Sequence, residues 1–239
     1  QMATQDVALE VFKTGRGRPW SEHHMCCFCG TDRFFRPAYV SHLVEEWIPS
    51  ITGAKEKLIS GGKVADIGCG LGSTTILMAE TYPNSHIYGY DFHAESIEEA
   101  QKRASEKGLT NITFEVRDSK DIPNEGFDLA CIFDALHDMG DPVGVASGIK
   151  SILNEEGKFM LVEPFAEDEL KDNLTPASAM MYGFSTIVCV PTSRAQEVGL
   201  CLGAQAGPKR LIKVLEDAGF EGVRISDSTT NNLVFEASK

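Results

Sequence analysis

Residues 63–75 of the chain read Lys-Val-Ala-Asp-Ile-Gly-Cys-Gly-Leu-Gly-Ser-Thr-Thr, and the prediction of the fold starts from them. A short apolar strand over residues 63–67 runs into a glycine turn, residues 68–72, and Ser73 then opens a helix. Glycines let a backbone approach a bound molecule closely, and the first turn of a helix offers unpaired N–H groups. This order of strand, glycine turn and helix is typical of a nucleotide-binding loop.

The spacing of the glycines distinguishes between cofactor classes. A dinucleotide fingerprint, G-x-G-x-x-G/A, would place Gly or Ala at position 73, where this chain has Ser73. Here the third glycine is Gly72, and Asp66 lies two residues before Gly68. This pattern resembles the first motif of the class I S-adenosyl-L-methionine (SAM)-dependent methyltransferases, acid-x-G-x-G-x-G. The resemblance implies that the acid faces the amino-acid end of SAM, and that the cofactor contacts Asp66, Gly68, Cys69, Gly70, Gly72 and Ser73.

Composition narrows the class of protein. The 239 residues are 42% hydrophobic and 24% charged, which predicts one globular domain with or without an appendage. The net charge of −13 argues against nucleic acid or an anionic membrane as a partner. Of seven cysteines, Cys69 lies in the glycine turn and Cys131 in a predicted buried strand, so we expect a reducing compartment and no disulfides. With no signal-peptide pattern and no long apolar run, we expect a soluble, cytoplasmic protein.

The alternation of strands and helices predicts an α/β fold with a Rossmann-like, doubly wound, mostly parallel sheet. The resemblance implies seven strands in the order 3-2-1-4-5-7-6, the last one antiparallel. We expect residues 1–60 to form a helical segment that covers the binding site, with an irregular stretch over residues 20–29. Residues 61–239 would form the SAM-binding domain, in which residues 164–208 are a helical insertion that roofs a substrate pocket.

Acidic residues follow the next two predicted strands. In this fold a carboxylate after strand two accepts hydrogen bonds from both ribose hydroxyls, and Asp91 has that place. The resemblance implies that Asp118 meets the adenine amino group. Each carboxylate alone is equally consistent with a helix cap or a solvated charge, but their joint placement favours a site. The expected cofactor contacts are completed by Trp20, Phe92, Ser119, Phe133 and Asp134.

A second informative stretch, Leu136-His-Asp-Met-Gly-Asp141, follows the predicted fourth strand. It resembles the L-H-D-W-G-D signature of small-molecule O-methyltransferases, with Met139 in place of the aromatic residue. The resemblance implies that His137 is the general base that takes a hydroxyl proton from the substrate, and Asp138 would orient its ring. Methyl transfer to a phenol profits from such a base because the phenol pKa lies near 10. The alternative is a structural histidine that braces the following helix.

Substrate contacts are expected near the carboxyl ends of the strands. Glu163, at the end of strand five, would face the same crevice as His137. Met181, Tyr182 and Phe184 lie in the insertion and are candidates to line the substrate pocket, although such side chains more often belong to a core. The predicted function is methyl transfer from SAM to a small-molecule hydroxyl, leaving S-adenosyl-L-homocysteine (SAH). The sequence does not identify the acceptor.

A cluster of histidines and cysteines near the N-terminus has the residue types of a zinc site. A second pair of ligands does not follow at the spacing that structural zinc sites usually have, so no metal is expected. The cluster consists of His23, His24, Cys26, Cys27 and Cys29.

Two other function classes stay open. A nicotinamide-dependent oxidoreductase is disfavoured by Ser73 and Asp66, and a non-catalytic SAM-binding regulator would share the same fold. The chain also resembles, over nearly its whole length, a bacterial group of methyltransferases that carry an N-terminal winged-helix domain used for dimerisation. That domain is not seen here, so we expect either a fragment of a longer protein or a lineage that lacks it, and a homodimer is possible.

Overall fold

The computed structural model describes residues 4–239. Its centre is one seven-stranded sheet in the order β3-β2-β1-β4-β5-β7-β6, as predicted. The first five strands pair in parallel, and β7 pairs antiparallel to both β5 and β6. The strands are β1 Lys63–Ile67, β2 His86–Asp91, β3 Ile112–Val116, β4 Phe127–Phe133, β5 Leu153–Pro164, β6 Glu221–Ser228 and β7 Asn232–Ser238.

Helices cover both faces of this sheet. In the described part of the chain they are α1 Gln5–Thr14, α2 Met25–His42, α3 Ile48–Ser50, α4 Ala54–Ser60, α5 Ser73–Thr81, α6 Ala94–Glu106, α7 Pro142–Ile152, α8 Pro176–Phe184, α9 Val190–Arg194 and α10 Pro208–Asp217. Two π-helical turns join α2 to α3 and α8 to α9, over Leu43–Trp47 and Ser185–Cys189. Short 3-10 turns lie at Trp20–Glu22, Leu136–Asp138 and Leu170–Asn173.

The core explains why these segments form a parallel sheet. β4 is buried along almost its entire length and carries apolar residues on both faces, which is what a central parallel strand requires. One face packs against α7 and α10 through residues such as Ile149 and Leu211. The other face packs against α4 and α5 and around Trp47, whose side chain is fully buried.

The N-terminal segment differs from the prediction at one point. Residues 20–29 were expected to be irregular, but α2 already begins at Met25. The His24 ring caps this helix, since its Nδ1 accepts a hydrogen bond from the Cys26 backbone N–H at 3.1 Å. Phe28 then anchors the first turns between Trp20 and His93, with ring centroids 5.1 and 4.6 Å apart. These contacts are long-range or depend on a histidine cap, so apolar periodicity alone did not reveal them.

The remaining chain follows the predicted order. The segment after β5 is a helical insertion, made of α8, a π-helical turn and α9, and the closing strands form an antiparallel hairpin. None of the helices within residues 4–239 combines the length and the apolar character needed to cross a membrane. The carboxyl ends of β1, β2, β3 and β4 meet at one edge of the sheet, where parallel open sheets place their ligands.

Candidate active site

The loop between β1 and α5 is shaped by its own backbone. The N–H groups of Gly68 and Cys69 donate to the carbonyl oxygen of Tyr90 at 2.8 and 3.1 Å. Gly68, Gly70 and Gly72 have φ angles of +73°, +52° and +77°, in the left-handed region that favours glycine. The loop therefore turns sharply at the end of β1 and leads directly into the first turn of α5.

Gly70 and Gly72 have different surroundings. A Cβ atom on Gly72 would lie 2.8 Å from the Phe114 ring and 2.9 Å from the Ala100 Cβ, so this glycine allows β3 and α6 to pack closely against the loop. A Cβ atom on Gly70 would find no heavy atom within 4 Å. Gly70 lines a cavity that lies over the strand ends, and it leaves open space where a ligand can approach the backbone.

Two predicted carboxylates line this cavity at the ends of β2 and β3. Asp91 accepts hydrogen bonds from the backbone N–H groups of Gly70 and His93, both at 2.9 Å. Burial raises the pKa of Asp91, and these two hydrogen bonds oppose that rise. Asp118 is held by the backbone N–H of Lys120 at 2.9 Å. Both carboxylates are thus oriented before any ligand binds, and each oxygen retains lone pairs for one.

Asp66 occupies a different position from the one predicted for it by analogy. One carboxylate oxygen accepts hydrogen bonds from the hydroxyl groups of Thr74 and Thr75, at 2.6 and 2.7 Å. Asp66 is almost completely buried and does not line the cavity. Burial raises its pKa to about 6, against the lowering effect of the two hydroxyl groups. In this structure Asp66 ties the end of β1 to the first turn of α5.

One face of α2 forms a wall of the cavity that sequence analysis missed. The residues of this face recur at helical spacing, which was the available signal, and they are Phe28, Thr31, Asp32, Phe35 and Tyr39. Asp32 accepts a hydrogen bond from the Ser73 hydroxyl at 2.5 Å and pairs with Arg103 of α6 at 3.3 Å. These contacts fasten α2 to the loop and to α6.

Asp134, directly after β4, joins three elements at the cavity wall. Its carboxylate accepts hydrogen bonds from the Tyr39 hydroxyl at 2.7 Å and from the Asn232 side-chain amide at 2.8 Å. Its φ angle of +49° is uncommon for a residue other than glycine. Burial raises the pKa of Asp134 to about 8, with the Tyr39 hydrogen bond opposing that rise. The nearby Glu163 adds to that rise and His137 opposes it, and a positively charged ligand beside Asp134 would favour its ionised form.

His137 and Glu163 form a buried pair behind the cavity. Glu163 accepts from the His137 ring nitrogen Nδ1 at 2.5 Å and from the backbone N–H of Leu136 at 2.9 Å. The other ring nitrogen, Nε2, lies 3.3 Å from Oδ1 of Asp138, and Asp138 lines the cavity. Burial alone would lower the pKa of His137, but the adjacent Glu163 and Asp138 raise it well above its ordinary value. The histidine is therefore oriented by one carboxylate and flanked by another.

Comparison with known proteins assigns the family. A family model described as "Methyltransferase domain" matches residues 58–219 of this chain. The chain belongs to the class I SAM-dependent methyltransferases. A curated relative, the aklanonic acid methyltransferase DauC of Streptomyces sp. strain C5, is 33% identical over 109 residues, which are 44% of this chain and 50% of that protein. The chain spans about half the length of the curated relatives it matches first.

Solved structures share the methyltransferase fold. An O-methyltransferase family protein from Burkholderia thailandensis superimposes with a TM-score of 0.68 at 16% identity, over 89% of this chain and 58% of that one. The magnesium protoporphyrin IX methyltransferase of Synechocystis PCC 6803, solved with bound SAH, gives a TM-score of 0.58 at 20% identity. That comparison covers 85% of this chain and 83% of the other.

The residues present in this chain fit SAM. The free space beside Gly70 admits a ligand to the loop backbone, and Asp91 offers carboxylate oxygens to a ribose diol. Most of the predicted contacts line the same cavity, together with Asp138: Trp20, Gly68, Cys69, Gly70, Ser73, Asp91, Phe92, Asp118, Ser119, Phe133 and Asp134. Asp66 and Gly72 support the loop from behind instead.

The predicted substrate residues lie away from this cavity. Met181 packs against a small apolar cluster that includes Cys189, and Phe184 is 43% exposed and contacts the Phe34 ring. Tyr182 is half-buried in α8, and Glu163 lies behind His137. None of these four, nor His137 itself, is among the residues that line the cavity.

The insertion reaches the cavity through other residues, Thr192 and Gln196. The Gln196 amide nitrogen donates to the Asp138 carbonyl at 2.8 Å, and its oxygen accepts from the Gly140 N–H at 3.0 Å. These bonds connect the insertion to the His137 motif. Sequence analysis assigned neither Thr192 nor Gln196 to the site.

Proposed function

We propose that this chain transfers the methyl group of SAM to a hydroxyl group of a small molecule, with His137 as the proton acceptor. The observation that carries this proposal is the buried chain of contacts from Glu163 through His137 to Asp138, which ends at the wall of the cofactor cavity. The names of relatives, such as aklanonic acid methyltransferase and ubiquinone biosynthesis O-methyltransferase, support a small organic acceptor.

In this proposal the strand ends hold the cofactor. Asp91 would accept the ribose hydroxyl groups, Asp118 would meet the adenine, and the open backbone at Gly70 would face the amino-acid portion. Asp134 would balance part of the positive charge of SAM by releasing the proton that its burial favours, because a nearby sulfonium charge stabilises the carboxylate. Residues 1–60 act as a cover through α2, and residues 61–239 form the cofactor-binding domain.

The protein's main contribution to methyl transfer is positioning. The hydroxyl oxygen attacks the methyl carbon in line with the carbon–sulfur bond, that bond breaks, and neutral SAH leaves. SAM supplies an activated methyl group, so the chain needs to align the acceptor and remove its proton. Glu163 holds Nδ1 of His137, which directs the available nitrogen Nε2 towards Asp138 and the cavity. In the neutral form of the ring Nε2 takes the hydroxyl proton, and the raised pKa of His137 makes this form more abundant as pH rises.

His137→Gln tests the role of the histidine. We expect the variant to bind SAM with nearly unchanged affinity and to form SAH about 10²–10⁴-fold more slowly, because the proton acceptor is lost. SAH formation is measured across a panel of hydroxylated aromatic compounds, and SAM binding is measured by calorimetry as a control for folding.

His42→Gln is the matched control, because His42, the last residue of α2, pairs at the surface with Glu46 of the following π-helical turn. The control is expected to keep wild-type turnover. Wild-type turnover in the His137 variant, on an acceptor that the wild type methylates, would contradict the proposal and return His137 to a structural role.

A further inference from the structure

Three potential metal ligands converge beside the cavity. They are a ring nitrogen of His137, a carboxylate oxygen of Asp138 and Sγ of Cys189, and all three atoms lie within 4.8 Å of one another. His137 and Asp138 belong to the turn after β4, whereas Cys189 ends the π-helical turn of the insertion. The fold therefore assembles this group from two distant segments of the chain.

One distance within the group matches tetrahedral coordination. Nε2 of His137 and Oδ1 of Asp138 are 3.3 Å apart. Zinc bonds of about 2.0–2.2 Å to nitrogen and oxygen imply a separation of roughly 3.3–3.5 Å between two ligands of a tetrahedron. Oδ1 of Asp138 is buried and has no hydrogen-bond partner among the described residues. These two potential ligand atoms lie at the required distance from each other.

Glu163 holds the His137 ring in a fixed orientation, as metal sites commonly require. Nδ1 of His137 is hydrogen-bonded to Glu163 at 2.5 Å, so a metal would bind at Nε2 and displace its proton. Histidine ligands of metals are commonly held in this way by a carboxylate, which fixes the ring and increases its basicity. Three protein ligands of mixed type, with Asp138 at the cavity wall, leave a fourth position for water or another small ligand.

We propose that His137, Asp138 and Cys189 bind a divalent cation of the zinc class. A donor set of imidazole, carboxylate and thiolate selects a borderline or soft ion over Mg²⁺ or Ca²⁺, which prefer oxygen ligands. The N-terminal histidine and cysteine cluster is a different set. His24 caps α2 there, and the only such group of ligands found within residues 4–239 is the one beside the cavity.

Metal binding here goes beyond methyl transfer and does not depend on it. The lone pair of Nε2 cannot hold a metal and accept a proton at the same time. A bound cation is therefore expected to oppose the proposed role of His137, so Zn²⁺ would inhibit methyl transfer and a chelator would restore it. The direct test measures binding alone, and a negative result there leaves the proposed methyl transfer untouched.

Equilibrium dialysis with Zn²⁺ and spectroscopic titration with Co²⁺ test the site in the full chain. We expect one metal per chain and a near-ultraviolet thiolate-to-cobalt absorption band. Cys189→Ser should lose that band and bind at least about tenfold more weakly, and Glu163→Gln should weaken binding about 10–100-fold. Cys26→Ser, which removes an exposed thiol of the N-terminal cluster, should bind like the wild type.

Calorimetric titration with SAM shows whether each variant is folded. Substoichiometric metal in the wild type would overturn the proposal, as would a Cys189→Ser protein that retains both the cobalt band and the wild-type affinity. Loss of the metal in Cys26→Ser would also overturn it, because the metal would then belong to the N-terminal cluster.

Discussion

At the scale of single residues, acids that have similar positions in the sequence have different surroundings in the structure. Four acids lie at the ends of β1 to β4. Asp91, Asp118 and Asp134 line the cavity, whereas Asp66 is turned towards the threonines of α5. The sequence could place each acid at a strand end because parallel strands end together. It could not say which way a side chain turns, since that depends on the partners that tertiary packing brings.

Gly70 and Gly72 give a test of this distinction. Gly70→Val should abolish SAM binding, because its side chain enters the open space beside the loop, while the stability of the protein falls only by the cost of a left-handed residue, about 1–2 kcal/mol. Gly72→Ala should destabilise the fold more, because its Cβ clashes with Phe114 and Ala100. Urea unfolding and calorimetry measure the two effects. Equal losses of stability in both variants would be evidence against these roles.

Asp134 should make stability depend on pH. Its folded pKa of about 8 lies above the unfolded value near 3.9, so the folded state binds the proton more tightly. The stabilisation from that proton is complete below pH 4 and is lost as pH rises to 8. Asp134→Asn removes this loss of stability, because an amide does not titrate. The new amide N–H needs a hydrogen-bond acceptor, and rotation of the Asn232 amide can supply its oxygen, which has no hydrogen-bond partner among the described residues.

The measurement is urea unfolding of wild type and variant at several pH values. The Asn variant should gain stability relative to the wild type between pH 4 and pH 8. Asp66→Asn is the comparison. Its gain in stability relative to the wild type should stop increasing at a lower pH, near the Asp66 pKa of about 6. A constant difference between wild type and Asp134→Asn across this range would contradict the assigned shift.

At the scale of elements, α2 determines how the cofactor cavity is closed. Sequence analysis predicted the first strand and its glycine turn from local signals, and the family resemblance supplied the number and order of the strands. It missed the start of α2 and the cavity-facing side of that helix. The periodicity of apolar residues marks a buried face, but it does not say whether a core or a ligand lies opposite. The contact of Asp32 with Ser73 and Arg103 is set by the packing of three separate segments.

Asp32→Ala tests the attachment of α2. Removal of a charged hydrogen-bond acceptor should reduce stability by about 1.5–3 kcal/mol and speed amide exchange in α2. Arg36→Ala is the control, because Arg36 meets the same carboxylate from the exposed side at 3.7 Å, and surface ion pairs contribute about 0–1 kcal/mol. Urea unfolding and hydrogen exchange measure both variants. Exchange in α2 that is unchanged by Asp32→Ala would show that this contact does not hold the helix.

At the scale of the whole molecule, the acidic character extends into the cavity. Five aspartates line the cavity, Asp32, Asp91, Asp118, Asp134 and Asp138, and the chain carries a net charge of −13. SAM carries a sulfonium charge that SAH lacks, so this field favours the methyl donor over the product. The family and the cofactor could be inferred from the glycine loop and the strand-end acids. The acceptor could not, since the residues of the insertion that reach the cavity, Thr192 and Gln196, are set by tertiary contacts.

The central claim is that this cavity binds SAM through Asp91. Calorimetric titration of the wild type and of Asp91→Ala with SAM and SAH tests it most directly. We expect micromolar binding of both ligands to the wild type, and an affinity lower by about 1.5–3 kcal/mol, or about 10–100-fold, in the variant. No binding of either ligand to folded wild type, or equal affinity in Asp91→Ala, would contradict the claim.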